Sequence, residues 1–223
     1  MIIEPAIHVA MMRLMDRRDC SKLYEQHFSY VLASSCEDIL KEFQTLSSSN
    51  LVAVELPYPS GKGICDIVID LSSLRFSNEI YQHQIHCECK FFRKGPAHQG
   101  LNYNLGSVWE DFTQVVNSGK GISYSAIICE NEWDKLILRN DASINCFAAQ
   151  SPSNFNLYKI SAPPKSEDIM NINGPGTKFH VLRNYTEAFN LKFGNETRLF
   201  RIYLFRLWVK DINSDDFQFE ELK

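Results

Sequence analysis

The sequence predicts an α/β fold, and three observations carry that prediction. An apolar repeat near 3.6 residues runs from about Ser21 to Leu46. At Leu51 the pattern switches to short Ile- and Val-rich runs separated by turn residues. Helical and strand-like stretches then alternate again as far as Leu138.

In chain order, residues 3–17 read as a helix with mixed apolar spacing. A second helix is predicted over 21–46, with Ser21 as N-cap and Leu23, Phe28, Val31, Leu32, Ile39, Leu40 and Phe43 on its apolar side. The cluster Ser47-Ser48-Ser49-Asn50 ends it. Leu51–Leu56 is a strand, and Pro57, Pro59, Gly61 and Gly63 form a turn. Ile64–Leu71 is a second strand, and Ile80–Phe92 contains a third. Short links between them suggest a meander. Residues 93–105 read as a loop, Ser107–Val116 as a helix closed by Gly119 and Gly121, Tyr124–Cys129 as a strand and Trp133–Leu138 as a helix. Residues 150–178, holding Pro152, Pro163, Pro164 and Pro175, form a long loop or boundary. Residues 179–210 form another ordered piece, in which Arg198–Lys210 is apolar on nearly every side and leaves helix and strand both open. The expected division is therefore a core over 1–149 and a C-terminal extension over 150–223.

The 223 residues suffice for one sizeable core. No stretch approaches the roughly 18 consecutive apolar residues of a membrane span. The N-terminal residues lack the order of a secretory signal, because their basic residues follow the apolar stretch. The seven cysteines are scattered, which reads as reduced thiols in a cytoplasmic protein, several of them buried as small hydrophobes. The net charge of −4 is unlike the basic footprint of most nucleic-acid binders. The segment 211–223, with five acids against one base, carries all of it, so the rest of the chain is neutral.

The chemistry-bearing segments are Gly63-Ile64-Cys65-Asp66-Ile67-Val68-Ile69-Asp70 and His86-Cys87-Glu88-Cys89-Lys90. On a strand, residues two apart share a face, so Glu88 and Lys90 project together while Cys87 and Cys89 face away. If the second and third strands pair, Asp66 joins Glu88 and Lys90. Two carboxylates and a main-chain carbonyl form a partial cage for Mg²⁺, and an adjacent lysine can orient or help deprotonate a metal-bound water. Zinc is disfavoured at His86, Cys87 and Cys89, because His86 points away from both thiols and no further ligand pair completes a site.

An acid on one strand followed by acid-any-lysine on the next resembles the PD-(D/E)XK nuclease superfamily, over about residues 20–140. Cys65 replaces the proline of that family's name. The resemblance implies a restriction-endonuclease-like core, in which a mixed central sheet is flanked by helices. It also implies a Mg²⁺-dependent (or Mn²⁺-dependent) endonuclease acting on DNA, in restriction or defence against foreign DNA, and working as a homodimer. Asp66, Glu88 and the Cys89 carbonyl would hold the metal, with Lys90 beside it. Glu25, or its rival Glu55, would be the additional acid. Arg93, Lys94 and His98 are candidates for phosphate contact. Gln114, on the following helix, is a further candidate for nucleic-acid contact, Glu110 on the same helix reads as surface, and Arg198, Arg201 and Arg206 are either DNA contacts or plain surface. No small-molecule cofactor and no membrane partner are expected. The alternatives are a non-catalytic binding or interaction module that keeps this fold, and an unrelated α/β domain.

Overall fold

The computed structural model describes residues 2–43, 51–58, 61, 63–71, 75–76, 79–80, 84–93, 111, 114–115, 121–130, 157–158 and 179–209. The expected helix at 133–138, most of 150–178, and the acidic segment 211–223 lie outside them.

Helix α1 (Ile3–Met15) is shaped by a stripe of Ile3, Ala6, Ile7, Ala10, Met11 and Leu14, all buried. Helix α2 (Glu25–Phe43) follows. Its buried row Phe28, Leu32, Cys36 and Leu40 advances in steps of four. The helix begins four residues later than Ser21. That serine sits in a turn, where its amide and hydroxyl are both taken by Asp19 at 2.9 and 2.8 Å. Arg13 fastens the two helices by binding Asp38, Ser34 and Ser35.

The strands are β1 (Val52–Pro57), β2 (Ile64–Asp70), β3 (Arg75–Phe76), β4 (Glu79–Ile80), β5 (Gln84–Phe92), β6 (Gly121–Glu130), β7 (Leu157–Tyr158), β8 (Phe179–Phe193) and β9 (Glu196–Val209). Six long strands and the two-residue β7 form a mixed sheet in the order β1-β2-β5-β6-β9-β8-β7, while β3 and β4 pair separately. Strands β1, β2 and β5 are successive antiparallel neighbours, which is the expected meander with the β3–β4 ribbon inserted. Strand β6 runs parallel to β5, and such a pair needs a crossover of a dozen or more residues. Asp111, Gln114 and Val115, within that connection, are helical.

Residues 179–209 extend this sheet: β9 hydrogen-bonds along β6, and β8 along β9. Gly194, at φ +58°, is the first residue of the two-residue β8–β9 turn, the position a II′ turn reserves for glycine. Asp19 accepts the Gly194 amide at 3.0 Å and so anchors the turn to the segment between the helices.

Both helices cover one face of the sheet. Ile67, Ile69, Ile85, Cys87, Cys89, Tyr124, Ala126, Ile128, Phe200, Ile202 and Leu204 form that core with them. The opposite face is also buried along β6 and β9, through Ser123, Ser125, Ile127, Tyr203, Phe205 and Leu207. There Ser123 Oγ donates to the Val115 carbonyl at 3.0 Å, which ties the helical segment to the sheet. Among the described residues, no helix is long and apolar enough to cross a membrane.

Candidate active site

The site forms where the sheet opens. Antiparallel pairing of β2 with β5 runs from Asp70–Gln84 to Ile67–Cys87 and stops there. The next partners in register are Asp66 and Glu88, whose side chains stand on one face. The main chains do not continue the ladder at this point. Instead the Asp66 carboxylate accepts the Cys89 amide at 2.7 Å, so a side chain replaces the strand. The Cys89 side chain is fully buried in the helix-side core, which leaves only its main chain at the site.

Glu88 is 4 % exposed and accepts a hydrogen bond from the Tyr58 hydroxyl. Lys90, two residues on, lies between two acids from different elements. Its ammonium is 3.1 Å from Glu25 Oε1, on the first turn of α2, and 3.0 Å from Asp111 Oδ2. Sequence reasoning therefore brings Asp66, Glu88, Lys90 and Glu25 to one place, and the structure gathers all four. Glu55 is turned elsewhere: it is exposed, has φ +55°, and accepts from Gln26 at 2.6 Å.

The electrostatics of the cluster are dominated by an excess of carboxylate. Burial, followed by the neighbouring Asp111 and Asp66, pushes the Glu88 carboxyl up to about 10. Burial also pushes Asp111 up to about 7, although Lys90 opposes the rise. Burial alone would pull Lys90 down, but Asp111 and Glu25 outweigh it, so the ammonium is held more firmly than usual. At neutral pH, Glu88 keeps its proton and Lys90 keeps its charge.

Among the described residues, no group of three or more His, Cys, Asp or Glu is arranged to enclose a metal ion. The donor chemistry nonetheless suits a hard divalent cation. Asp66 and Glu88 offer adjacent carboxylates, and the buried Asp111 Oδ2 accepts no hydrogen bond beyond its ion-pair contact with Lys90. A cation would offset both the burial and the carboxylate repulsion that keep Glu88 protonated.

Asp111 and Tyr58 are the site residues that sequence reasoning missed. For Asp111 a signal existed: on the helix predicted over 107–116 it lies four residues before the buried Val115, so it is an acid on the apolar side. Tyr58, between Pro57 and Pro59 in a turn, offered none. Of the residues expected to contact phosphate, Arg93 bonds the Ser21 carbonyl at 2.6 Å and stacks over Tyr24. Gln114 packs against Gly63 in the β1–β2 turn. Lys94, His98 and Glu110 lie outside the described residues. Arg198 is engaged by Glu196 and Glu130. His86 faces away from the thiols, as expected, and burial lowers its pKa. Cys20, Cys36, Cys65, Cys87, Cys89 and Cys129 are all buried, and none of them forms a disulfide among the described residues.

Comparison with known proteins returns no match: no family model, no curated protein and no solved structure is similar to this chain.

Proposed function

We propose that the chain is a metal-dependent endonuclease that hydrolyses DNA phosphodiester bonds, built on the PD-(D/E)XK plan. One observation carries this reading: Asp66, Glu88 and Lys90 meet at a single opening between β2 and β5, with Glu25 and Asp111 closing around the lysine. A Mg²⁺ or Mn²⁺ ion held by Asp66 and Glu88 would supply Lewis acidity at the phosphate and a water of lowered pKa.

The chain's own groups divide the remaining work. Asp66 is fixed by the Cys89 amide, so one of its oxygens is aimed by the main chain. Glu88 is oriented by Tyr58 and must lose its proton for a cation to be held. Lys90, clamped between Glu25 and Asp111, stays an ammonium. It orients the attacking water and offsets charge developing on the phosphate.

The test is cleavage of supercoiled plasmid with Mg²⁺ or Mn²⁺. Activity should fall by roughly a hundredfold or more in Lys90→Ala, with the fold checked by circular dichroism. Undiminished cutting by that variant would remove Lys90 from the mechanism. No cutting by the intact chain with either metal would favour the binding-module reading, which the sealed Tyr58–Glu88 contact also suits.

A further inference from the structure

We infer that the exposed side of α2, together with the end of α1, is a track for an unpaired DNA strand leading away from the Asp66–Glu88–Lys90 cluster. The direction of the track rests on the nuclease reading; the binding itself does not.

The track begins at Arg93, three residues past Lys90. Its guanidinium lies 4.9 Å over the ring of Tyr24. Tyr24 immediately precedes Glu25 and is 56 % exposed, and its ring is 5.8 Å from that of His27. His27 in turn lines a shallow, open cavity of about 340 Å³ with Tyr30, Arg13 and Arg17. The order from the site outward is therefore cation, three rings at successive three-residue steps, then cations.

Each component has a chemical consequence. Arg13 is committed to Asp38, Ser34 and Ser35, so it forms a wall. Arg17 is exposed and makes no ion pair among the described residues, so it is the cation available to a phosphate. Exposed rings give base faces something to stack on, at roughly 1–3 kcal/mol per base where measured elsewhere. Single surface aromatics are ordinary. A contiguous row of them between two arginines, starting beside the proposed catalytic lysine, is a surface suited to one strand with its bases turned out. Duplex DNA hides those faces, so the track selects the unpaired form.

The test uses the full chain in chelator, with fluorescence anisotropy of a labelled oligothymidylate of roughly 16 nucleotides and of a hairpin duplex of equal length. The variants Tyr24→Ala, Tyr30→Ala and Arg17→Glu all replace exposed side chains, and circular dichroism checks their fold. Each aromatic deletion is expected to weaken oligothymidylate binding by roughly fivefold or more. Arg17→Glu is expected to weaken it and flatten its salt dependence, and Arg17→Lys to restore most of it. Binding unchanged in all three, no binding by the intact chain, or a preference for the hairpin would each overturn the inference. Cleavage is scored separately: track binding without cutting removes the nuclease reading alone, and cutting indifferent to these variants removes the track alone.

Discussion

Replacing Glu88 by glutamine tests the electrostatics of the site without changing its shape. The amide oxygen can still accept from Tyr58, and the amide nitrogen can donate where the protonated carboxyl now meets Asp66. The unfolded-state value for Glu88 is 4.5, and the folded value is about 10. Between these limits the native state binds the extra proton, so stability falls as pH rises. The slope is about 1.4 kcal/mol per pH unit, and the accumulated cost at neutral pH is roughly 3 kcal/mol. Asp111 has the same sign but completes its share near 7. Above neutrality, then, Glu88 supplies most of the slope, with a fading share from Asp111 and a growing one from thiols ionising in the unfolded chain. The assay is urea denaturation in chelator at about pH 7 and about pH 8.5. The wild type should lose roughly 2 kcal/mol more than Glu88→Gln across that interval, since thiol ionisation in the unfolded chain acts on both proteins alike. Saturating Mg²⁺ should raise the wild-type midpoint more than the variant's, because the neutral amide oxygen is a weaker ligand than the carboxylate. Parallel pH profiles for the two proteins would refute the argument, since Glu88 would then not be the group that holds the proton.

Other consequences are more local. Gly63 has φ +84°, and a Cβ there would stand 2.9 Å from Gln114 Oε1. Gly63→Ala should therefore cost about 1–2 kcal/mol and displace Gln114, read as a lowered urea midpoint. Phe28 is fully buried between α2 and the sheet, and Phe28→Ala should cost about 3–5 kcal/mol in the same assay. Asp19 is held below its usual value by the Gly194 amide and then by Ser21, so its contribution is present above the unfolded pKa and is lost as pH falls through the lowered one. Asp19→Ala should speed hydrogen exchange of the Gly194 amide at neutral pH, and an unchanged rate would mean the hairpin turn needs no anchor.

The sequence was most legible where one face alone is buried. The four-residue steps of Phe28, Leu32, Cys36 and Leu40 announce α2, and the short strands with turn residues between them announce β1, β2 and β5. Legibility failed for residues 198–210 for a physical reason. Phe200, Ile202 and Leu204 pack under the helices while Tyr203, Phe205 and Leu207 are buried on the other face, so β9 has no polar side to reveal its period. The start of α2 was misplaced because Ser21 resembles an N-cap, yet Asp19 captures it two residues away. At the site, Glu88 and Lys90 were legible as neighbours from strand parity, since a period of two needs no tertiary information, while Asp66 joined them only on the assumption that the second and third strands pair. Asp111 was not, because its role depends on a crossover that brings a residue distant in sequence to within 3.0 Å of Lys90.

Stability and chemistry compete directly at this opening in the sheet. A regular β2–β5 ladder would have continued past Cys87 and filled the space with main-chain hydrogen bonds. Ending it one pair early frees the Cys89 amide for Asp66 and gives Glu25, from the helix-side layer, access to Lys90. The same interruption concentrates Asp66, Glu88, Asp111 and Glu25 around one ammonium in a buried setting, where like charges are costly. A proton on Glu88 offsets that cost in the bare protein, and a divalent cation is the other species able to do so. The exchange of one for the other is the physical event on which the proposed activity depends. The Tyr58 hydroxyl is placed to steady Glu88 through it, since it can donate to the carboxyl in either state and does so more strongly to the ionised one.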